Sequence, residues 1–454
     1  MPSVFTPALL TAAVLAGGFL VDSSPSDFGR SNELRQAQAA FDRKDYDAAL
    51  KQLDEAIRTH PDGQPAAYEL RALVQAYQGR PEAALADYDR VLKSAKGRDR
   101  FDLLHRIALG VLTNLLSHNQ ELVRGAAATA LQELDPHTTE AALKKALHDP
   151  SPRVRSLAIQ AAGRLKLAGT LPEVRHAVTD PDPSVRLAAL SVLGLSKTPS
   201  VVPTLRRGLD DQDQLAQLVA REALIRLKQP QSLQPLIAAT RDFSPSVRGA
   251  ALGILGRLKE PSAFSVLTLG LHDPDPSVRS FAAGALGDLG QASAIPDLLE
   301  ALKDEDPYVR NFAAASLGRL TAKEAIPALW EAVKDSDSLV QLAAAEALVR
   351  LGEGQAALVF RQLLKDPNYG VRSAAVGAMA RVGPAGNMGF ALEALEDPAP
   401  RVRVAAVQAL GKIGRTTAIP YLRRALLDKD PTVRAFAAGH LGGVISNGRP
   451  KQGD

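Results

Sequence analysis

The chain has 454 residues, of which 46% are hydrophobic and only 4% aromatic, and its formal net charge is +4. This composition is typical of a folded protein, and so small a charge over this length does not indicate a nucleic-acid-binding surface. The absence of cysteine excludes disulfide bonds, thiolate metal sites, a cysteine nucleophile and lipid attachment through cysteine.

The chain begins with an uncharged apolar segment, residues 4–21, which a polar run from Asp22 to Asp27 follows. We interpret residues 1–21 as a signal peptide or an N-terminal anchor and residues 22–31 as a linker. No Lys or Arg precedes the apolar segment, and its length is at the lower limit for a membrane-spanning helix. An export signal is favoured, which predicts a periplasmic or extracellular protein. An uncleaved anchor predicts a membrane-anchored protein, and a wrongly assigned start codon predicts a cytoplasmic one.

Residues 32–96 contain two similar helical segments. In the first, Ala49, Leu53 and Ala56 alternate small and large side chains at helical spacing, and Ala84 repeats the position of Ala49 after 35 residues. This pattern resembles two tetratricopeptide repeats, which have a period of about 34 residues. The resemblance implies two helical hairpins with a surface for a protein partner.

A Val-Arg dipeptide, or a close copy of it, then returns every 31 residues from Val123 to Val433. A fixed period of this length indicates stacked copies of one supersecondary unit, which we expect to form an elongated array. In the clearest copy, residues 294–320, two helical stripes flank a polar turn. Asp306 is placed to cap the second helix of this unit, and Pro307 is placed to begin it.

The repeated motif Asp-x-Asp-Pro-x-Val-Arg-x-x-Ala-Ala-x-Ala-Leu-Gly resembles HEAT repeats of the phycobilin-lyase-like type. The resemblance implies an all-α fold, a right-handed α-solenoid of about eleven 31-residue HEAT-like helical hairpins preceded by the two tetratricopeptide hairpins. The array is predicted to cover residues 103–446, with the apolar segment that begins at Phe101 as its first helix. Residues 447–454 are predicted to be a flexible tail.

Most units carry an Asp five residues before the valine position and an Arg directly after it. We predict a structural ladder of Asp–Arg hydrogen bonds that fixes the turns of adjacent units, because one guanidinium can bridge a carboxylate and turn carbonyls. A ladder of anion sites is the alternative. In two units Gln217 and Gln341 replace the Arg, which indicates repeat drift, flexible joints or partner contacts. Predicted members of the ladder include Asp273, Arg279, Asp304, Arg310, Asp366, Arg372, Asp397 and Arg403.

Two further rows lie on the second helices. Ten residues after the valine position most units carry a cation. We interpret this cation as favoured by the helix dipole, since it lies in the last turn of a helix. The alternative is a basic ridge that attracts an acidic protein segment or polyanion. Three residues after it, Phe281 and Phe312 occupy adjacent units, with Asn311 and Tyr308 nearby. These four are the candidate partner-binding residues, and the alternative is that the rings fill space between helices. The basic row is Arg164, Arg226, Arg257, Arg319, Arg350, Arg381 and Lys412.

Enzyme motifs are missing from the sequence. It contains no phosphate-binding loop, no dinucleotide fingerprint and no His-Glu-x-x-His. None of the eight histidines precedes Glu, so the His-Glu iron ligands of a similar HEAT-repeat hydroxylase family are not present. We therefore predict no catalytic residue, cofactor or metal.

The predicted function is a non-enzymatic scaffold or adaptor that binds protein partners through its repeat surfaces. No nucleic-acid partner is expected, and membrane contact is expected only through an uncleaved N-terminal segment. The alternative, implied by the repeat subtype alone, is a bilin-lyase-like enzyme or a chromophore chaperone.

Overall fold

The structure is a computed structural model that describes residues 32–59, 65–94, 100–229, 231, 233–382 and 388–448. The predicted signal peptide or anchor, the linker and most of the predicted tail lie outside these residues. The described residues form 26 α-helices and short 3₁₀ turns without a strand, which confirms the all-α prediction. The chain divides into two compact units, with the boundary between Leu115 and Leu116.

The described residues of the N-terminal unit form five helices. Successive helices pack against each other, and their alternating small and large apolar residues, among them Ala37, Ala49 and Leu53, are buried. The helix predicted to begin the array packs against the third and fourth helices of this unit, so the C-terminal unit begins at Leu116. The apolar face of this helix could pack on the N-terminal helices or on the HEAT-like array, and the sequence alone does not distinguish the two. The helices are α1 (Asn32–Asp42), α2 (Tyr46–Thr59), α3 (Pro65–Tyr77), α4 (Pro81–Ser94) and α5 (Phe101–Leu115).

The C-terminal unit alternates long and mostly shorter helices, which we call inner and outer helices. The inner helices are α6 (Glu121–Ala130), α8 (Pro152–Arg164), α10 (Pro183–Leu195), α12 (Gln214–Arg226), α14 (Pro245–Leu258), α16 (Pro276–Leu289), α18 (Pro307–Arg319), α20 (Ser338–Arg350), α22 (Tyr369–Val382), α24 (Pro400–Ile413) and α26 (Pro431–Gly448). The outer helices are α7 (Pro136–Leu147), α9 (Pro172–His176), α11 (Val202–Arg207), α13 (Gln234–Ala239), α15 (Phe264–Gly270), α17 (Ile295–Ala301), α19 (Ile326–Ala332), α21 (Ala357–Leu363), α23 (Gly389–Ala394) and α25 (Ile419–Ala425).

The predicted caps define where the inner helices begin. The carboxylate of Asp306 accepts hydrogen bonds from the backbone N–H groups of Tyr308 and Val309, at 2.8 and 3.4 Å, and Pro307 occupies the first turn of α18. Asp275 accepts from the N–H of Ser277 in the same way. These bonds satisfy amide groups that have no partner within the helix, so each turn is fixed by its own sequence.

Small residues allow the inner helices to approach each other closely. A Cβ atom added to Gly256 would lie 2.6 Å from the Cα of Ala285 in the next unit, and one added to Gly318 would lie 2.8 Å from the Cα of Ala347. Consecutive inner helices are in extensive contact, whereas consecutive outer helices hardly touch. The inner helices therefore lie on the concave side of the array and the outer helices on its convex side.

The array closes on itself. The last inner helix, α26, packs against the first, α6. A Cβ atom added to Gly439 would lie 2.6 Å from the carbonyl oxygen of Ala130, and one added to Gly443 would lie 2.5 Å from that of Glu133. The Nδ1 atom of His440 lies 3.6 Å from a carboxylate oxygen of Glu133. The predicted solenoid is confirmed, but it is a closed ring of eleven inner helices rather than an elongated array.

Candidate partner-binding surface

One stripe of each inner helix faces the inside of the ring. In α16 this stripe consists of Ser277, Phe281, Gly284 and Asp288, which follow each other at helical spacing and are exposed or half-buried. The opposite face, which includes Ala282 and Leu286, is buried, and α16 packs against its own outer helix α15. The predicted phenylalanine row and the predicted basic row therefore lie on the same surface.

The two phenylalanines rest on glycines of the preceding unit. A Cβ atom added to Gly249 would lie 2.5 Å from the ring of Phe281, and one added to Gly284 would lie 3.2 Å from the ring of Phe312. The side chains remain 47% and 39% exposed. Each ring thus packs one face on a bare helix backbone and presents the rest of its surface to the inside of the ring.

The other two candidate residues have different surroundings. Tyr308 is 65% exposed at the start of α18 and is available for contact. The side-chain amide of Asn311 donates a 2.8 Å hydrogen bond to the carbonyl of Leu339, so this residue links two units. The structure brings Asn311, Phe312 and Tyr308 together on one helix, with Phe281 one unit away.

A groove of about 410 Å³ lies beside these residues, across α18, α20 and α22. Its apolar lining includes Leu339 and Leu342. Its charged lining consists of Arg319, Arg350 and Arg381 together with the carboxylate of Glu346, and no sequence pattern had indicated a cavity at this point. The groove can accept an apolar side chain next to an anionic group.

The Asp–Arg ladder is present, and each rung joins neighbouring units, as the predicted ladder between adjacent turns requires. Arg310 donates two hydrogen bonds to the carboxylate of Asp335, at 2.7 and 2.8 Å, and two more to the carbonyls of Asp304 and Glu305, at 2.8 and 3.0 Å. The same arrangement holds Asp304 through Arg279 of the preceding unit. The hydrogen bonds from Arg310 hold the pKa of Asp335 below its ordinary value.

Eight such rungs occur among the described residues, which supports the structural interpretation of the ladder. They join Arg124 to Asp149, Arg155 to Asp180, Arg186 to Asp211, Arg248 to Asp273, Arg279 to Asp304, Arg310 to Asp335, Arg372 to Asp397 and Arg403 to Asp428. Asp366 has no arginine rung, because Gln341 stands in the preceding unit, and it accepts from the Ser338 hydroxyl instead. At the closure between α26 and α6, the bonds of Arg434 within the described part of the chain go to carbonyls of its own turn.

The family model for HEAT repeats matches the chain in overlapping segments that cover residues 139–380 and 390–451, more than half of its length. The chain belongs to the HEAT-repeat family.

No curated protein is matched by this HEAT-repeat chain. Among solved structures, it is similar to human deoxyhypusine hydroxylase, with 22% identity over 55% of this chain and 98% of that one and a TM-score of 0.30. It is also similar to the complex of CpcE and CpcF of phycocyanin lyase from Nostoc sp., with 20% identity over 61% and 93% of the two chains and a TM-score of 0.33. A Kap95p complex with RanGDP matches 83% of this chain and 60% of its own at 15% identity, with a TM-score of 0.33. At these TM-scores, the family assignment rests on the repeat model.

Two HEAT units use a different link to the next unit, on the inner surface. Where Gln217 stands in place of the ladder arginine, the buried carboxylate of Glu222 in the same unit pairs with Arg226 at 2.9 Å and with Arg257 of the next unit at 2.7 Å. The side-chain amide of Gln217 donates only to the carbonyl of Asp211. The ion pair between Glu222 and Arg257 on the inner surface therefore joins the two units that lack an Asp–Arg rung.

The unit with Gln341 repeats this arrangement four units later. There Glu346 pairs with Arg350 at 3.0 Å and with Arg381 of the next unit at 2.7 Å. Burial favours the neutral form of Glu346, but hydrogen bonds from Arg381 and Arg350 outweigh it and lower the pKa of this carboxyl group. Four of the seven cations of the basic row therefore pair with glutamates, an outcome that neither interpretation of the row had included. In the sequence, the signal for these pairs was a glutamate six residues after the valine position, Glu222 in one unit and Glu346 in the other.

Within the described ranges, no cluster of three or more histidine and acidic residues is placed to hold a metal ion. No helix in this part of the chain is long and apolar enough to cross a membrane.

Proposed function

We propose that the HEAT array is a non-enzymatic adaptor that binds a segment of a protein partner on the inner surface of the ring. The observation that carries the proposal is the pair of phenylalanine rings, Phe281 and Phe312, which rest on glycines and stay exposed on the concave side. Aromatic side chains held by packing on one face provide large apolar contact area at low entropic cost, and such anchors dominate protein interfaces.

The size of the ring supports this proposal. Eleven helices packed at about 9 Å give a circumference of about 100 Å through the helix axes, and hence a diameter of about 32 Å. Subtracting one helix diameter of about 10 Å leaves an opening of roughly 20 Å, which accommodates an extended chain or a single helix. In the adjacent groove the three arginines Arg319, Arg350 and Arg381 outnumber the one carboxylate of Glu346. This excess of positive charge favours a segment that carries an acidic side chain next to an apolar one.

Site-specific photo-crosslinking in the native organism tests the proposal. A photoreactive phenylalanine analogue at position 281 should capture a protein partner. The same analogue at Phe243, which is fully exposed in the turn before α14, serves as the matched control and should not capture it.

The double variant F281S/F312S should then lose capture of that partner, while the single variant F243S keeps it. Truncation of an aromatic anchor costs about 2 kcal/mol of binding free energy or more, so the loss should exceed tenfold in affinity. The melting temperature of F281S/F312S should stay close to that of the wild type, because both rings are substantially exposed. A much lower melting temperature would instead assign the rings to core packing.

For the N-terminal unit we propose a second partner surface of the tetratricopeptide type. Support comes from the positions of α1 to α4, which form two consecutive helical pairs where the repeat pattern predicts them. Deleting residues 32–96 should remove one set of captured partners and leave those of the HEAT ring.

We also propose that the protein acts outside the cytoplasm, as the apolar segment 4–21 indicates. N-terminal sequencing of the native protein tests this, and an intact soluble form in the cytoplasm would contradict it.

A further inference from the structure

Four lysines adopt a backbone conformation that favours glycine. Lys166, Lys197, Lys228 and Lys259 have φ angles of +60°, +55°, +57° and +57°. They occupy the same position in four consecutive units, one or two residues after the end of an inner helix, and all four are exposed. They form one edge of the ring, which we call the lysine edge.

Backbone preference does not explain these lysines. An L residue in the left-handed region is strained by its Cβ atom, whereas glycine is not, and glycine is the usual residue just after a helix. The array itself uses glycine at this position in other units, as Gly290 and Gly352 show with φ angles of +80° and +97°, and Thr321 occupies it in one unit with +52°. The recurrence of the same cation at this strained position in four consecutive units indicates a function for the lysine side chains.

Further cations lie beside Lys259, at one end of the lysine edge. Lys259 lines a cavity of about 530 Å³ together with Arg226, Arg257 and Arg319, and Asp288 is the one carboxylate in its lining. Arg226 and Arg257 share the single carboxylate of Glu222. The end of the edge at Lys259 therefore carries a local excess of positive charge in a chain whose net charge is only +4.

We propose that the lysine edge binds an acidic polypeptide segment in an extended, polyproline-II-like conformation. Neighbouring helices pack about 8–10 Å apart, so the lysines follow each other at about that spacing. A polyproline-II segment rises about 3.1 Å per residue with three residues per turn, which brings every third side chain to the same face at about 9.3 Å. Acidic residues at every third position of the partner thus match one lysine per unit, and four lysines span about ten residues.

A nucleic-acid strand fits this edge less well. Single strands are bound by basic grooves in which aromatic rings stack on the bases. The exposed aromatic residues of the described array, such as Phe281 and Tyr308, lie at other positions of the repeat unit and not beside the four lysines. The edge therefore offers charge at regular spacing without a stacking surface.

Binding of labelled peptides to the purified full chain tests the proposal. The probe is a fluorescein-labelled peptide of about 15 residues with Glu at every third position and Pro or Gln between. Its counterpart has the same composition with the glutamates grouped together. We expect the evenly spaced peptide to bind more tightly than the grouped one. The triple variant K197Q/K228Q/K259Q should bind the evenly spaced peptide about tenfold more weakly, because it loses several exposed ion pairs that each contribute modestly.

The chain provides a matched control on the opposite edge. Lys303, Lys334 and Lys365 are also exposed and spaced by 31 residues, but they lie between an outer and an inner helix. The variant K303Q/K334Q/K365Q should bind the peptide as the wild type does. An equal loss in this control would show that only net charge matters and would overturn the proposal. So would tighter binding of the grouped peptide or of single-stranded DNA.

Replacement of the lysines by glycine separates binding from capping. The variant K197G/K228G/K259G should lose peptide binding while its melting temperature rises, because glycine relieves the left-handed strain. If its melting temperature falls, the lysines serve to cap the helices and the proposal is wrong.

Discussion

Removal of one rung of the Asp–Arg ladder tests the main structural conclusion about the HEAT array. Arg310→Ala removes two hydrogen bonds to Asp335 and two to the carbonyls of Asp304 and Glu305. The side chains of Arg310 and Asp335 are only 15% and 13% exposed, so water replaces these bonds poorly. Breaking a largely buried ion pair costs about 3–5 kcal/mol, and the partial exposure reduces this to about 2–3 kcal/mol of unfolding free energy.

The array contains a natural reference for a milder change. Gln341, at the position of a ladder arginine, donates a 2.6 Å hydrogen bond to the carbonyl of Asp335 and makes no carboxylate bridge. Arg310→Gln should keep the equivalent bond to the Asp304 carbonyl and lose the carboxylate bridge and the bond to the Glu305 carbonyl. We expect it to cost about 1–2 kcal/mol, less than the alanine variant.

The pH dependence gives a second check on the same rung. The folded pKa of Asp335 is lowered by Arg310, so this carboxylate stabilises the fold above the unfolded pKa of about 3.9. That stabilisation is lost as the pH falls through the folded pKa. The difference between the wild type and Arg310→Ala should therefore be smaller at about pH 3 than at about pH 7.

Urea unfolding followed by circular dichroism measures these differences, and hydrogen exchange of the amides in α18 and α20 localises them. A loss below about 0.5 kcal/mol at pH 7, which is typical of a surface ion pair, would contradict the structural role of the rung. An equal loss at pH 3 and pH 7 would show that the carboxylate bridge contributes nothing.

Two further predictions concern the closure of the ring. Gly439→Leu should separate α26 from α6, because even a Cβ atom there would lie 2.6 Å from the Ala130 carbonyl oxygen. Small-angle scattering should then show a larger radius of gyration. Gly354→Leu is the control, since nothing lies within 4 Å of a Cβ atom added at that position. Burial lowers the pKa of His440 although Glu133 opposes the shift, so the closure is most stable above the unfolded pKa of about 6.5 and weakens below it. The radius of gyration should therefore rise between about pH 7 and pH 5 in the wild type and stay constant in His440→Gln; equal behaviour of the two proteins would exclude this histidine as the cause.

The sequence by itself determined the local structure of each unit. The helix starts at Asp306 and Pro307 follow from capping and proline chemistry, which depend on a few adjacent residues. The placement of Phe281 and Phe312 on one exposed stripe follows from helical periodicity and from the 31-residue repeat. These properties repeat in register, so one well-defined unit was enough to describe the others.

Only the tertiary structure decided which residues of different units meet. The sequence shows that Asp and Arg recur, but the partner of Arg310 is Asp335 in the next unit, because packing of the inner helices brings that turn closest. The pairing of Glu222 with Arg257 likewise depends on the stacking of two units. The contact of Gly439 with Ala130 joins positions more than 300 residues apart in the chain. Whether an array closes depends on the small rotation between neighbours summed over all units, and no single repeat contains that sum.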